Sequence, residues 1–416
     1  MTWKLRHLML APHRLGFFLA MLLLSATGLW WALVQVDRMS GLWGLTYALS
    51  PSLVHGAGMS FGFIPLFFSG FLFTAGPKWL RVAPPTVTQL LPPMLLQATG
   101  WLVWLLGVHV HVGLSLFGLA LALSGLCWMS AMFWRMVLRS QETDQLHARL
   151  VATACVAGCL SLLGLLAGVA ADADAFAQAC VMSGLWGFVV AVYVVAAHRM
   201  IPFFTSNAMP QIANWRPFWA LGLMLAVVVV EVIAAWIDIL QPLGPTIWGT
   251  VWGLVRGTLE LVAGSVLLWL ASVWGLKQSF KQRLLVMLHI GFVWLGLALV
   301  IGGASQWLGW ATDTTVLPLG ALHAVTMGCL ASLMLAMVTR ISAGHSGRAL
   351  VADNTVWSLF LLLQAATLLR IFAAWPTDIS AQLLLLAALL WLTSMVLWTS
   401  RLTNWYGRLR PDGRAG

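Results

Sequence analysis

Apolar runs of about twenty residues, separated by short polar or Pro- and Gly-rich breaks, recur along the whole of this chain. A helix needs about 20 mostly apolar residues to cross a bilayer. Runs of that kind lie at about 15–36, 53–76, 86–107, 112–138, 149–171, 176–199, 217–239, 247–274, 284–304, 316–339, 355–374 and 379–400. The stretches at 112–138 and 247–274 are long enough to predict tilt or interfacial turns. The pattern therefore predicts an all-α polytopic membrane helix bundle of about twelve transmembrane helices. It forms a single transmembrane domain over residues 1–416, with no soluble domain, long linker or low-complexity tract. The first run is too long for a signal peptide and no small-residue cleavage site follows it, so it reads as an uncleaved helix.

Composition agrees with this class. Hydrophobic residues make up 61% of the chain and charged residues 8%, against roughly a quarter charged in soluble domains. Charge placement then predicts orientation. With the N-terminus inside, the cytoplasmic stretches hold every Lys and Arg except Arg38, Arg256 and Arg370, while the opposite loops carry Asp37, Asp172, Asp174, Asp238, Asp313 and Asp378. Adding or removing one span would scramble this alternation, so both termini are expected to be cytoplasmic. The net charge of +10 then reflects topology and anionic lipid rather than nucleic acid. The five cysteines all fall inside apolar runs, which excludes a secreted disulfide framework. Cys155 and Cys159 share a helix face and read as small packing residues.

Histidines carry the candidate chemistry. His55 opens the second run and His323 stands near the start of the tenth, each followed four residues later by a methionine, Met59 and Met327. An ionisable residue inside a membrane is costly and marks a functional site by default. Imidazole and thioether suit haem iron or reduced copper, and residues at i and i+4 face the same way on an α-helix. Both histidines enter from the same side, at depths differing by about 8 Å, so one site in the outer leaflet is within reach of both. The alternative is a histidine bonded to a neighbouring helix, with methionine as filler.

His289 lies near the other face, as a ligand of a second centre or a polar anchor. His109 and His111 form a short His-x-His at the outer surface, readable as a copper-capture point or as a solvated loop. His198 and His345 stand beside Arg199 and Arg348, pairs that fit phosphate, lipid or propionate contacts as well as a plain inner-face charge. Arg256 and Glu260 are i, i+4 in the eighth run and Glu231 sits at similar depth in the seventh. They form a structural network or a proton path, or Arg256 meets a haem propionate.

Absent motifs narrow the field. No P-loop or dinucleotide glycine motif occurs in a soluble context. No helix carries paired histidines thirteen or fourteen apart, and no adjacent His-His pair is present, which speaks against b-type cytochromes and haem–copper oxidases.

At residues 55–79 the chain resembles the NnrS family, bacterial inner-membrane proteins associated with the nitric-oxide response. The family pattern runs roughly His-Ala-His-Glu-Met-x-Phe-Gly-Phe, then Gly-Phe-Leu-x-Thr-Ala and a Trp. The chain keeps His55, Met59, Phe61, Gly62, Phe63, Gly70, Phe71, Leu72, Thr74, Ala75 and Trp79. Ala57 and Gly58 stand where the family has its second His and its Glu. The likeness continues through APHRLGFF near the N-terminus, HRMIPFFT at 198–205, LHIGFVWLGLAL at 288–299 and HAVTMGCLASLMLAMVTRISAGHSGR at 323–348. The resemblance implies twelve helices, haem and copper binding, and protection from nitrosative stress in the bacterial inner membrane, with nitric oxide or another diatomic as the small ligand. It also implies His55, His289 and His323 as ligands, with Thr339, Arg340, His345 and Arg348 in one further block. The replacements at 57 and 58 remove two donors, so haem without copper is one expected outcome. The rival readings are a twelve-helix secondary transporter and a haem or copper delivery factor.

Overall fold

A computed structural model describes residues 2–240, 242–244, 246–314, 316–317 and 319–410. Twelve helices are long and apolar enough to cross a membrane among the described residues. They are α1 (Pro12–Ser40), α2 (Pro51–Leu80), α3 (Val87–Val110), α4 (Val112–Arg139), α5 (Leu146–Ala170) and α6 (Asp174–Ala208), then α7 (Phe218–Leu240), α8 (Ile247–Val273), α9 (Arg283–Thr312), α10 (Gly320–His345), α11 (Asn354–Phe372) and α12 (Ser380–Tyr406). Each apolar run of the sequence is one helix. The two long runs are single helices, α4 and α8, without an interfacial turn.

Local chemistry sets the helix ends. Pro12 opens α1, where its missing N–H costs nothing. The helix stops at Gly41, which adopts φ 67° and returns its N–H to the Asp37 carbonyl. The Asp37 side chain then accepts from the N–H groups of Trp43, Gly44 and Leu45, folding the loop back over the helix end. Thr86 and Gln89 close a capping box at the start of α3.

Three helices depart from regular α geometry, at Gly58–Gly62 in α2, Leu185–Val190 in α6 and Ala324–Leu330 in α10, where the backbone makes π-helical turns. Such turns are rare and frequently mark functional sites. Large rings pack closely against glycines at these turns. The Phe61 ring of the α2 turn lies where any side chain at Gly184 of α6 would have to go, and the Trp294 indole of α9 lies 2.6 Å from where a Cβ at Gly328 would stand. Trp294 is held there by its N–H bond to Gln364 Oε1 (2.7 Å), and Gln364 in turn donates to Ser332 Oγ (2.9 Å).

The contacts group the chain into two units. One comprises residues 1–192, 342–348 and 395–416, the other 193–341 and 349–394, so α6, α10 and α12 each contribute to both. In the first unit α3 and α4 form a close hairpin, with Gly100 against the Ala122 backbone and Gly118 against that of Trp104. Arg14, 2% exposed, donates to the carbonyls of Tyr406 (3.1 Å) and Arg408 (2.8 Å) at the end of α12. Those carbonyls have no helical partner and carry the negative end of the helix dipole, so a buried cation is stabilised there. In the second unit α8 and α9 make a matching hairpin through Gly264 and Gly296. Small residues permit such close approach in lipid, where water gives no drive to association. The most buried helices are α2, α6, α9 and α10, with 67–83% of their apolar windows covered against 33–56% for the others. These four carry His55, His198, His289 and His323.

Candidate functional site

His55 belongs to the first unit. Its ring stacks on Trp31 of α1, with centroids 3.9 Å apart and planes at 19°. On the same indole the Arg38 guanidinium lies 5.5 Å from the ring centroid, a cation–π contact. The π turn begins three residues after His55 and contains Met59. An i, i+4 spacing across a widened turn no longer stacks the two side chains as it does in a regular α-helix.

His109 is committed elsewhere. The Trp30 indole N–H donates to its Nε2 (2.8 Å), so Nδ1 carries the proton and donates to the Thr46 carbonyl (3.1 Å). Tyr47 packs against this ring at 5.2 Å; burial and the nearby Asp37 carboxylate push its phenol above the ordinary value. His111 is the N-cap of α4, with Nδ1 accepting the Gly113 N–H (2.9 Å). The His-x-His is thus a helix end and a helix cap, not an extended pair.

His289 and His323 belong to the second unit. His323 Nδ1 lies 2.8 Å from the Leu319 carbonyl. An oxygen acceptor places the proton on Nδ1 and leaves the Nε2 lone pair, which is the tautomer of most ligating histidines. Its π turn begins at the next residue and contains Met327. His289 is fully buried. Thr205 donates its hydroxyl to Ile201 O (2.9 Å), so it must accept from His289 Nε2–H (2.9 Å). Nδ1 of His289 is then a buried lone pair, and it has no hydrogen-bond partner.

His345 faces a residue the sequence analysis passed over. Its ring centroid is 4.3 Å from that of His13 in the first unit. His13 is 2% exposed, and its only sequence signal is its place in the APHRLGFF block. His198 is buried against Phe218 and Trp274, with Nε2 3.1 Å from the Pro217 carbonyl. Cys155 and Cys159 are free thiols, and Cys159 Sγ meets Ser130 Oγ at 3.4 Å.

Arg256 is surrounded by carboxylates. Nε donates to Glu260 (2.8 Å), Nη1 to Asp238 (2.6 Å) and Nη2 to Glu231 (2.8 Å). Asp238 was not expected in this group. Three acids around one base make the surroundings negative, which disfavours a propionate there.

The fit to the implied cofactors differs between them. His289 presents a buried imidazole nitrogen, Nδ1, suited to haem iron. No group of three or more His, Cys, Asp or Glu side chains is assembled to hold a metal ion among the described residues, and Ala57 and Gly58 offer no donor. A three-donor copper centre therefore does not fit.

The fold defines a multi-pass membrane protein whose four most buried helices carry His55, His198, His289, His323 and His345. The NnrS family model, described as NnrS protein, matches residues 7–410. The chain belongs to the NnrS family. No curated protein matches it.

Proposed function

We propose that this NnrS-family protein binds haem in the bacterial inner membrane and acts in the response to nitric oxide. The observation that carries the reading is the π turn that follows each His-x-x-x-Met histidine within three residues and contains its methionine, since such turns occur frequently at functional sites. His55, His323 and His289 are the proposed ligands, with Met59 and Met327 as neighbouring soft donors and His345 as a further inner-face donor beside His13. Trp31 fixes the plane of the His55 ring, the Leu319 carbonyl fixes the tautomer of His323, and Thr205 fixes that of His289. Haem, when bound, supplies an iron able to take nitric oxide or a similar diatomic.

The transporter alternative is disfavoured by the same turns. They fall on α2, α6 and α10, four helices apart, whereas a carrier built from two halves would place broken helices at corresponding positions six apart.

The test is the optical spectrum of the detergent-purified protein, oxidised, reduced and reduced with nitric oxide, with elemental analysis for iron and copper. A Soret band that shifts with nitric oxide is expected, with iron present. His55→Ala, His289→Ala and His323→Ala should each lower haem content and His111→Ala should not. A colourless, iron-free protein from haem-replete cells, or equal haem in all four variants, overturns the proposal.

A further inference from the structure

Inside the second unit the acids around Arg256 outnumber the base by two. Glu231 and Glu260 are each 5% exposed. One oxygen of each is bonded to Arg256. The other, Glu231 Oε1 and Glu260 Oε2, is buried with no hydrogen-bond donor. An ionised carboxylate oxygen stripped of both water and donors is strongly penalised in an apolar interior. Two of them on adjacent helices are penalised further by mutual repulsion.

The neighbouring helices do not repair the deficit. Glu260 Oε2 lies 2.7 Å from where a Cβ at Gly302 of α9 would stand, and the same glycine faces Ala321 of α10 (3.5 Å). Gln306 of α9 lies against Gly257 of α8 and brings no charge. The charged groups that act on Glu260 are Glu231 and Arg256, and Asp238 acts on Arg256.

We infer that Glu231 and Glu260 form a binding site for one exchangeable cation, and that the cation is a proton. A metal ion would stand against the guanidinium that already holds one oxygen of each glutamate, and no third acidic or histidine donor completes a shell among the described residues. A proton needs none. It converts one glutamate to the acid, whose O–H supplies the missing donor, and reduces the charge of the quartet by one. The remaining excess charge rests at Asp238, near the end of α7, whose Oδ1 accepts the Trp252 indole N–H (3.2 Å). Side-chain exposure falls from 45% at Asp238 through 16% at Arg256 to 6% at Glu231 and 5% at Glu260. Asp238 is thus the exposed end of the quartet and the two glutamates are its buried end. This site rests on charge and burial alone and stands whether or not haem binds.

Infrared spectroscopy of the full-length protein at neutral pH tests the inference, in water and in D2O, with potassium, sodium or calcium as the only added cation. The wild type should show the carbonyl stretch of a protonated carboxylic acid, shifted down in D2O and indifferent to the salt. Glu231→Gln/Glu260→Gln should lack it, and Asp238→Asn should keep it. A wild-type spectrum without that band overturns the inference, as does a band abolished by sodium or calcium, which would make the ligand a metal ion. Should the double variant fail to fold, the wild-type spectra in the three salts still decide.

Discussion

Arg256→Met isolates the role of the one base in the carboxylate quartet. The change keeps an unbranched aliphatic stem and removes three ion pairs of 2.6–2.8 Å. The contact with Asp238 contributes little, because that carboxylate is 45% exposed and exposed pairs are worth at most about 1 kcal/mol. Glu231 and Glu260 are different. Breaking a buried pair by deleting one partner costs about 3–5 kcal/mol, mostly from the stranded charge. The two losses do not add, since both glutamates share the same base and uptake of a proton relieves either. The expected total is therefore about 3–5 kcal/mol. Thermal unfolding in detergent, followed by the emission of the 25 tryptophans, measures it. Arg256→Lys should fall between wild type and Arg256→Met, because an ammonium lacks the planar fork that reaches three partners at once. Asp238→Asn should lie close to wild type. Wild-type stability in Arg256→Met, or an equal loss in Asp238→Asn, would refute the reasoning.

Three further outcomes follow from the packing. Thr205→Val leaves the His289 Nε2–H without an acceptor in a fully buried site and should cost about 1–3 kcal/mol, whereas Thr205→Ser should not; equal melting of the two variants would remove the tautomer argument. Gly328→Leu drives a side chain into the Trp294 ring and should cost about 1–3 kcal/mol or more, read as earlier unfolding on fluorescence-detected size exclusion. A Gly328→Leu protein as stable as wild type would show that the α10 turn does not depend on that contact. Arg14→Met uncaps the end of α12 and should cost about 1–3 kcal/mol, with hydrogen exchange at Thr403–Tyr406 as the local readout; unchanged protection there would count against the cap.

The twelve spans were legible in the sequence because crossing a bilayer depends on local composition. A run of apolar residues long enough to span is a helix in lipid whatever its neighbours, since the backbone must bond to itself. The ends were less legible. The ninth run reads to about 304, but α9 continues to Thr312, because a polar residue such as Ser305 can return its hydroxyl to the Ile301 carbonyl (2.7 Å) and stay helical. The Arg256–Glu260 pair was visible as an i, i+4 spacing. Glu231 was expected beside them from its depth in the seventh run, but that Asp238 closes on the same guanidinium depended on how α7 lies against α8.

The candidate histidines divide in the same way. Their types and positions in the runs singled out His55, His289 and His323 as candidates, but no sequence signal sets a tautomer. The proton on His289 is fixed by Thr205, far along the chain, and the proton on His109 by Trp30 and Thr46. Nor could the sequence distinguish α from π geometry at Gly58–Gly62, Leu185–Val190 and Ala324–Leu330. The two differ only in which carbonyl an N–H selects, a small energy difference that a large ring pressed onto a glycine on another helix can tip. Composition thus determined which segments enter the membrane and which side chains they carry. The tertiary structure alone decided which of those side chains meet, because that depends on contacts between helices remote in sequence.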